Sequence, residues 1–343
     1  MELKKLVGTA AAVLMMTASV GFAERLKMHS SWGQNLPILG SGPHEVSERL
    51  DAMSGGDLAV KVFEPGALVS GAAYYDAVSQ GSIDMGFGTS GYHVGKNPAY
   101  AFFSSVPFGP RAGEYLAWMF HGGGMEIAQE MFARDNIHFL VCGIVPPETS
   151  GWFREEIKST EDLRGLKMRF FGLGAKVMEK FGVSTQLLAG GDIYPALELG
   201  TIDATEFSMP AIDRNLGFFQ IAKYNYFPGW HQQTTLTELI VNMDKWNSLS
   251  DAHRAMIEAS CIAQTTISLA EGEAIQFDAM LENEANGVII KRWSDDIIAE
   301  FEAAWLEVIE EEIAGNEDSK RIWASYSAFR DKYAVWKSNG YLD

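Results

Sequence analysis

A helix–turn–strand–loop unit occurs twice in the chain, and this repetition constrains the fold more than any other feature. GSID at 81–84 follows one helical stretch and precedes MGFGTSGY, while GTID at 200–203 follows another and precedes ATEFSMP, 119 residues later (200 − 81). In both copies the glycine stands where a helix ends, and a short apolar strand is predicted after it. The chain is therefore expected to form two analogous α/β lobes with a cleft between them, where ligands bind at the carboxyl ends of strands and hinge motion occurs.

Short apolar runs alternate with amphipathic stretches over most of the chain, as they do in α/β proteins. Strands are predicted at 26–32, 57–64, 138–145, 166–171 and 203–207, and helices at 43–54 and 72–81. Apolar residues recur at helical spacing over 250–287 and 295–312, which predicts long helices. The acidic run at 307–312 is typical of a solvated helix face. The aromatic tail at 316–343 is expected to pack on the protein's own body or on a partner subunit.

The first 23 residues have the composition of an export signal. Lys4 and Lys5 precede an uncharged stretch at 6–22, and the small residues Gly21 and Ala23 stand at the −3 and −1 positions of a cleavage site. The stretch is shorter than a membrane-spanning helix and rich in Ala, Gly, Thr and Ser. We predict a signal peptide at 1–23 that is cleaved after Ala23, so that the mature protein works outside the cytoplasm.

The charge of the chain argues against two classes of partner. With 27 Lys and Arg against 45 Asp and Glu, the formal net charge is −18. Removal of Glu2, Lys4 and Lys5 with the signal takes away one net positive charge and leaves −19 (−18 − 1). Such a chain repels phosphate backbones and anionic membranes, so nucleic acid and lipid surfaces are not expected as partners. An anionic substrate has to be met by a well-placed local cation.

The two cysteines, Cys142 and Cys261, stand in the apolar surroundings HFLVCGIV and IEASCIAQ. An oxidising compartment would allow them to pair, but buried free cysteine also behaves as a small hydrophobe. The surroundings favour unpaired core residues. The chain has no Cys-x-x-Cys and its seven histidines are scattered, so no zinc-site or haem-attachment spacing occurs.

The chain contains no short catalytic motif: no G-x-S-x-G, no H-E-x-x-H, no P-loop and no G-x-G-x-x-G after a strand. Polar and aromatic residues instead stand at the ends of predicted strands, at Trp32, Tyr92, His93, Glu148, Trp152, Arg169, Glu206, Phe207, Trp230 and His231. One interpretation is an exported hydrolase or lyase that uses Glu148, Glu206 and His231 as acid–base groups. The other interpretation is a binding protein without catalytic activity.

Arg169 lies inside LKMRFFG, an otherwise apolar strand that leads into a glycine-containing loop. Burying a guanidinium without an anion is costly, and its planar fork matches a carboxylate. The residues alone leave two partners open: the carboxylate of a ligand, or an Asp or Glu of the chain itself.

Three long segments resemble the solute-receptor (DctP-type) subunit of bacterial TRAP transporters. They are SGWFREEIKSTEDLRGLKMRFFGLGAKVMEKFG, GGDIYPALELGTIDATEF and YNYFPGWHQQTTLTELIVN, and the SSVPFG segment and the export signal agree with them. The likeness extends over essentially the whole mature chain. Gly-x-His-x-Gly-Lys near 91–96, together with VPFG and PGWH, is similar to the receptors for 2-oxo acids and lactate.

The resemblance implies an α/β, two-lobed periplasmic-binding-protein fold with a cleft between the lobes and long C-terminal helices. Lobe I would comprise 24–146 and about 236–275, lobe II 147–235 and about 276–315, and the helical tail 316–343. Such a receptor closes on a small organic monocarboxylate in the periplasm, hands it to the membrane permease subunits of the transporter, and catalyses nothing. No catalytic cofactor is expected. A homodimer that forms through the C-terminal helix is expected.

The Arg of the family's Leu-Lys-Met-Arg strand falls on Arg169, which would clamp the substrate carboxylate. In the 2-oxo-acid subgroup a cation helps to hold the substrate, through a Gln just before Gly-Gly-Trp-Phe and a Glu followed by an aromatic residue. Glu206 and Phe207 match the second element, whereas Glu148 stands where the Gln is expected and Ser150 replaces the first Gly. If both glutamates face the site, they favour Ca²⁺ over Na⁺. Alternatively, one glutamate is protonated or hydrogen-bonds a substrate hydroxyl, and no metal is needed.

Aromatic residues are expected to wall the pocket, with His93, Glu148 and His231 adding polar contacts to the substrate. The candidates for the wall are Trp32, Tyr92, Phe171, Phe207 and Trp230. Phe207 stands where Trp is common in the subgroup, and Ser208 after it is small, which predicts a roomier pocket. The substrate is expected to be a 2-oxo or 2-hydroxy monocarboxylate, or alternatively an aromatic, benzoate-like one.

Overall fold

Two β-sheets surrounded by helices make up residues 24–342, which the computed structural model describes. The strands of the first sheet are β1 (Glu24–Ser30), β2 (Leu58–Phe63), β3 (Met85–Gly88), β4 (Ile137–Val145) and β10 (Thr235–Asn242). Those of the second are β5 (Gly151–Phe153), β6 (Lys167–Arg169), β7 (Ser184–Gln186), β8 (Ala204–Thr205), β9 (Tyr224–Phe227) and β11 (Ile289–Arg292). The helices are α1 (Ser41–Ser54), α2 (Tyr74–Ser79), α3 (Ala112–His121), α4 (Gly124–Ala133), α5 (Gly174–Lys180), α6 (Gly190–Glu198), α7 (Pro210–Leu216), α8 (Met243–Ser248), α9 (Asp251–Ala274), α10 (Gln276–Ala285), α11 (Asp295–Gly315) and α12 (Glu317–Gly340).

The strand order brings several strand ends to one edge of each sheet. The first sheet has the order β2-β1-β3-β10-β4, with β1 parallel to β2 and β3, and β10 antiparallel to β3 and β4. The carboxyl ends of β1, β3 and β4 therefore share an edge with the amino end of β10. The second sheet has the order β11-β9-β5-β8-β6-β7, in which β6 and β8 are parallel and β5 is antiparallel to β8 and β9. The carboxyl ends of β6, β8 and β9 share an edge in the same way.

The predicted repeat is present, with one copy in each sheet. Gly81 follows α2 with a φ of 71°, and Gly200 follows α6 with a φ of 69°. Glycine suits this left-handed conformation because it has no Cβ to crowd the backbone. Each turn leads into a strand with a parallel neighbour, β3 in the first sheet and β8 in the second. The prediction of an α/β chain built from two analogous units is confirmed.

The prediction of unpaired cysteines is wrong, because Cys142 of β4 and Cys261 of α9 form a disulfide. β4 is an edge strand of the first sheet, and α9 packs over it. The apolar surroundings predict burial correctly, since both cysteines are buried. They do not reveal that a helix 119 residues later brings the second cysteine to this strand.

The long C-terminal helices are present as predicted. α9 has 24 residues, α11 has 21 and α12 has 24. Ser250, Ser294 and Asn316 cap their amino ends by accepting a hydrogen bond from a main-chain N–H. α12 packs on the protein's own body, where Tyr326 is fully buried with its ring 5.2 Å from that of Trp118. The tail therefore adopts the first of its two expected arrangements along this part of the helix.

The two sheets draw on alternating parts of the chain. The first takes its strands from 24–145 and 235–242, and the second from 151–227 and 289–292. The bounds of the two lobes stay a prediction, and the signal peptide at 1–23 lies outside the described residues. Within 24–342, none of the helices has the length and apolar character needed to span a membrane.

Candidate functional site

Strand ends of both sheets surround a cavity of about 20 Å³. The first sheet contributes the segments after β1, β3 and β4 and the start of β10, and the second contributes those after β6 and β8. The lining residues are Trp32, Leu39, Thr89, Tyr92, Val145, Glu148, Arg169, Phe171, Phe207, Ser208, Gln232, Thr235 and Thr237. The cavity lies where α/β folds bind ligands, at the carboxyl edge of parallel strands.

A larger groove of about 460 Å³ lies beside this cavity, and Trp32 lines both. The groove has acidic side chains in Glu64 and Asp192 and no basic one among the described residues that line it. The smaller cavity contains a buried guanidinium and a buried carboxylate. A ligand carboxylate needs a charged donor, and of these two sites only the smaller cavity has one in its lining, so we place the candidate site there.

Arg169 ends β6, and Glu206 follows β8, the neighbouring parallel strand. The two residues are 1% and 0% exposed. Nη1 of Arg169 donates to Oε1 of Glu206 at 2.6 Å and to its main-chain carbonyl at 2.7 Å, and Nε donates to the carbonyl of Leu188 at 3.2 Å. Of the two partners that the sequence leaves open, the chain itself supplies one, which offsets the cost of burying the guanidinium. Nη2 donates to no residue within 24–342.

The Glu206 carboxylate is held on both oxygens. Oε1 also accepts the main-chain N–H of Phe171 at 2.6 Å, and Oε2 lies 3.3 Å from Nε2 of His231. Burial acts to raise the pKa of Glu206, but Arg169, His231 and the Phe171 N–H outweigh it and lower this pKa. Glu206 is therefore ionised at neutral pH.

Glu148 follows β4 and is satisfied on one oxygen only. Oε1 accepts from Oγ1 of Thr235 at 3.0 Å, and Thr235 accepts in turn from Nε2 of Gln232 at 2.7 Å. Oε2 is buried and has no partner within the described chain. Burial, together with the charges of Glu206 and Asp213, raises the pKa of Glu148 well above its usual range. A carboxyl group in this position needs a proton or a cation.

Glu148, Glu206 and His231 together form a donor set for a metal ion. Each offers one ligand atom, the three atoms lie within 4.8 Å of one another, and all three residues are buried. The unpartnered Oε2 of Glu148 is the feature that fits the set to a cation. Phe207, expected among the metal ligands, has no side-chain donor and offers only its main-chain carbonyl. His231, expected as a substrate contact, also belongs to the donor set.

Aromatic rings from both sheets line the cavity. Trp32, Tyr92, Phe171 and Phe207 line it, as the sequence led us to expect. The guanidinium carbon of Arg169 lies 5.7 Å from the ring centre of Phe171 and 5.2 Å from that of Phe207, within range of cation–π attraction. These rings pack against the guanidinium and restrict its position.

Two residues that the sequence suggested as substrate contacts lie away from the cavity. Nε2 of His93 is hydrogen-bonded to Oε1 of Glu238 at 2.6 Å, and the ring of Trp230 stacks on Phe108 in the hydrophobic core. Neither residue lines the cavity, and their role as substrate contacts stays a prediction. His93 follows Tyr92 of the cavity, and Trp230 precedes His231 of the donor set. Neighbouring side chains on a tight turn point in different directions, so adjacency in the chain does not bring them to the same site.

Several polar groups of the site were not singled out from the sequence. They are Thr89, Gln232, Thr235 and Thr237. Three of them belong to QQTTLT, which leads into β10. A pattern of polar residues after strands does not include them, because β10 is antiparallel and brings its amino end to the same edge. The signal that could have found them is the run of amide and hydroxyl residues before an apolar strand.

The site is enclosed in this conformation. Arg169, Glu148 and Glu206 are each 3% exposed or less. A ligand can reach these side chains only when the walls that come from the two sheets separate. This burial agrees with the hinge motion expected of two lobes around a cleft, which stays a prediction.

Known proteins similar to this chain are solute receptors. A monocarboxylate 2-oxoacid-binding periplasmic protein of Nostoc sp. is 32% identical over 349 aligned residues, which cover 98% of this chain and 96% of that protein. A TRAP transporter solute binding protein from Bordetella bronchiseptica is 34% identical to this chain, with a TM-score of 0.90 over 93% of this chain and 95% of that protein. Its structure is a mixed-occupancy dimer, with copurified calcium and picolinate in one active site and an apo site in the other. A TRAP periplasmic solute binding protein from Pseudoalteromonas atlantica, with bound sodium and pyruvate, is 29% identical to this chain. Its TM-score is 0.88, and the match covers 92% of this chain and 97% of that protein.

These similarities confirm the expected two-lobed receptor fold and the resemblance to the 2-oxo-acid receptors. The related structures hold a carboxylate together with calcium or sodium. The alternative of an exported hydrolase or lyase is wrong, because the relatives are solute-binding receptors and not enzymes. The family model described as bacterial extracellular solute-binding protein, family 7 (DctP), matches residues 29–316. The chain belongs to this family of solute receptors, whose members in TRAP transporters are periplasmic.

Proposed function

We propose that this protein is the periplasmic receptor of a TRAP transporter, that it binds a small monocarboxylate with an acceptor atom next to the carboxylate, and that it delivers this acid to the membrane permease. One observation carries the proposal: the buried guanidinium of Arg169 shares an enclosed site with the donor set Glu148, Glu206 and His231. Loss of the receptor should abolish uptake of the labelled acid by cells that retain the permease. Undiminished uptake contradicts the transport role.

Arg169 clamps the ligand carboxylate in this proposal. Glu206 orients Nη1, while Nη2 donates to no residue of the described chain and is available to a ligand. Removing one partner of a buried charge pair costs about 3–5 kcal/mol, or about two to four orders of magnitude in affinity. Arg169→Ala should therefore abolish binding that calorimetry can measure, in a protein whose circular dichroism shows it folded. Arg164→Ala, at an exposed arginine before the same strand, is the control and should bind normally. Unchanged affinity in Arg169→Ala contradicts the clamp.

Charge balance favours a divalent cation at the donor set. With both Glu148 and Glu206 ionised, the two carboxylates and Arg169 leave one net negative charge, and a bound monocarboxylate makes it two. A divalent ion such as Ca²⁺ neutralises this charge, and uncompensated charge in a buried site is costly. If Glu148 stays protonated, only one negative charge remains, and Na⁺ or no metal is then sufficient. The raised pKa of Glu148 makes the proton the competitor of the cation.

Chelation and one isosteric variant separate these alternatives. Exhaustive EDTA dialysis should lower the thermal midpoint and the ligand affinity together, and Ca²⁺ should restore both. Calcium binding should release a proton, seen as a dependence of the calorimetric heat on the ionisation enthalpy of the buffer. Glu148→Gln removes one negative charge at nearly constant shape and should shift the preference from Ca²⁺ towards Na⁺. No response to EDTA, Ca²⁺ or Na⁺ favours the metal-free alternative.

The ligands of the related structures share one chemical feature. Pyruvate has a carbonyl oxygen and picolinate a ring nitrogen on the atom next to the carboxylate. Either molecule therefore presents two donor atoms to a cation while its carboxylate meets a guanidinium. We propose that this pairing, present in 2-oxo and 2-hydroxy acids, defines the substrate class of this receptor.

Ring isomers provide the matched control for the substrate class. Picolinate and nicotinate have the same size, charge and ring, but only picolinate has its nitrogen next to the carboxylate. In a thermal-shift and calorimetric screen with Ca²⁺ present, picolinate, pyruvate and lactate should bind, and nicotinate and benzoate should bind at least about tenfold more weakly. Equal binding of benzoate and picolinate supports the alternative, in which the four-ring wall selects an aromatic monocarboxylate.

Dicarboxylates should be rejected. Arg169 is the one basic side chain among the described residues that line the cavity. A second carboxylate would be buried without a cationic partner, which costs several kcal/mol and separates mono- from dicarboxylates by more than about a hundredfold. Succinate, malate and sialic acid should therefore give no thermal shift. A strong shift with a C4-dicarboxylate contradicts the single clamp.

Export and assembly complete the proposal. We propose cleavage after Ala23, so that the intact mass of protein from a periplasmic extract begins at Glu24. We also propose that two copies meet through the end of α12, where Val335 and Trp336 are 69% and 58% exposed. Trp336→Glu should then reduce the molar mass measured by light scattering from that of a dimer to that of a monomer. A wild-type protein that is already monomeric at high concentration contradicts the dimer.

A further inference from the structure

A third buried carboxylate, Asp213, lies next to the site without lining the cavity. It belongs to α7 and is fully buried. Oδ1 accepts a hydrogen bond from the main-chain N–H of Ser208 at 3.0 Å. Oδ2 accepts one from Nε1 of Trp152 at 2.8 Å and lies 3.5 Å from Oγ1 of Thr149. No lysine, arginine or histidine of residues 24–342 pairs with this carboxylate. Its two oxygens are therefore met by N–H and O–H donors alone.

These donors belong to the two segments that carry the glutamates of the site. Thr149 directly follows Glu148, and Ser208 is two residues after Glu206. The main-chain N–H of Thr149 also donates to the carbonyl of Ser208 at 3.0 Å, so the segments touch at this point. Trp152 lies on β5, which pairs with β8 just before Glu206. One carboxylate thus ties both glutamate segments to each other and to the second sheet.

We propose that Asp213 is a positioning residue that sets the spacing of Glu148 and Glu206 and thereby the affinity of the receptor for its cation and acid. A cation binds well only when its oxygen donors are held at the correct separation, and groups behind the ligands supply that restraint. Asp213 is suited to this because its two oxygens accept from different segments at once. The inference rests on the proposed function, since it requires a cation and an acid to bind between the two glutamates.

An amide at position 213 tests this role. The side chain of Asn has one acceptor oxygen, so Asp213→Asn cannot accept from both Ser208 and Trp152, and its NH₂ group faces one of the two donors. The Ca²⁺-dependent affinity for picolinate should fall about 10- to 100-fold. Trp152→Phe removes one donor, so in the double variant the amide oxygen can serve Ser208. The double variant should recover to within about threefold of Trp152→Phe alone.

The outcomes separate this inference from the proposed function. Wild-type protein that binds no picolinate with Ca²⁺ counts against the proposed substrate class, whatever Asp213 does. If the wild type binds, unchanged affinity in Asp213→Asn overturns the positioning role. A loss that the double variant does not relieve also overturns it, because the missing charge then explains the effect. If Asp213→Asn fails to fold, the double variant decides: affinity equal to Trp152→Phe supports the role, and lower affinity overturns it.

Discussion

Gly91 lies at a close contact between the two walls of the site. It belongs to the 3₁₀ turn Ser90–His93 after β3, and it faces Phe171, which follows β6 of the other sheet. A Cβ at position 91 would lie 2.1 Å from Cζ and 2.6 Å from Cε1 of Phe171. Ordinary contact begins at 3.4 Å, so one wall has to move by at least 1.3 Å (3.4 − 2.1) to admit a methyl group. The ring of Phe171 has little freedom to move, since it is buried and packs against Tyr92 with ring centres 5.4 Å apart.

Gly91→Ala should therefore weaken ligand binding by keeping the walls apart. The φ of Gly91 is not in the left-handed region, so alanine fits the backbone and the free protein should fold normally. The cost arises only when the cleft closes. Forcing one extra carbon into a packed interface costs about 1–3 kcal/mol, which corresponds to about a 5- to 150-fold loss of affinity.

Calorimetry with picolinate and Ca²⁺ measures the loss, and small-angle scattering measures the closure. The ligand-bound variant should retain a larger radius of gyration than the ligand-bound wild type. Gly95→Ala is the matched control, since a Cβ four residues later in the same segment meets no atom within 4 Å. Affinity within twofold of wild type would refute the reasoning. An equal loss of stability in the free protein would refute it too, because the contact would then belong to folding and not to closure.

Three further predictions concern stability. Reduction of the Cys142–Cys261 disulfide should lower the free energy of unfolding by about 2–5 kcal/mol, measured with urea, without changing affinity for picolinate; an unchanged midpoint after verified reduction contradicts this. Burial lowers the pKa of His138 to about 4, so below pH 6.5 the unfolded chain binds a proton that the folded chain does not, and stability is lost as the pH falls towards 4. His138→Phe should decline less by on the order of 2 kcal/mol between pH 7 and 4, and parallel curves for the two proteins would contradict the assignment. Tyr326→Ala should destabilise the protein by about 3–5 kcal/mol by emptying the contact of α12 with the core, whereas Lys332→Ala, at an exposed position of the same helix, should leave the stability unchanged; equal effects would show that α12 is not packed as described.

Much of the fold follows from patterns that are local in the chain. The prediction of a strand at 138–145 corresponds to β4 at Ile137–Val145, and that of a helix at 295–312 corresponds to α11 at Asp295–Gly315. The repeated glycine turns at 81 and 200 predict two equivalent units, and each unit lies in its own sheet. Such features are readable because side-chain periodicity and the preference of glycine for left-handed turns act over a few neighbouring residues.

The chemistry of the site is only partly readable in this way. Arg169 stands out as a charge within an apolar strand, and burial is the expected consequence. Its partner within the chain is Glu206, and this pairing depends on β8 lying beside β6. The orders of strands in the two sheets are set by long-range packing, so neither the ion pair nor the approach of Glu148 and His231 could be derived from spacing alone.

The sequence by itself determined the fold class, the receptor family and the residue types of a carboxylate site, because these depend on local periodicity and on motifs that stand intact in the chain. Only the tertiary structure decided that the two cysteines pair, that His93 and Trp230 face away from the cavity, and that Asp213 joins the segments of the two glutamates. These facts depend on which distant segments become neighbours and on the direction in which each side chain leaves its turn. Both are settled when the two sheets and their helices pack together.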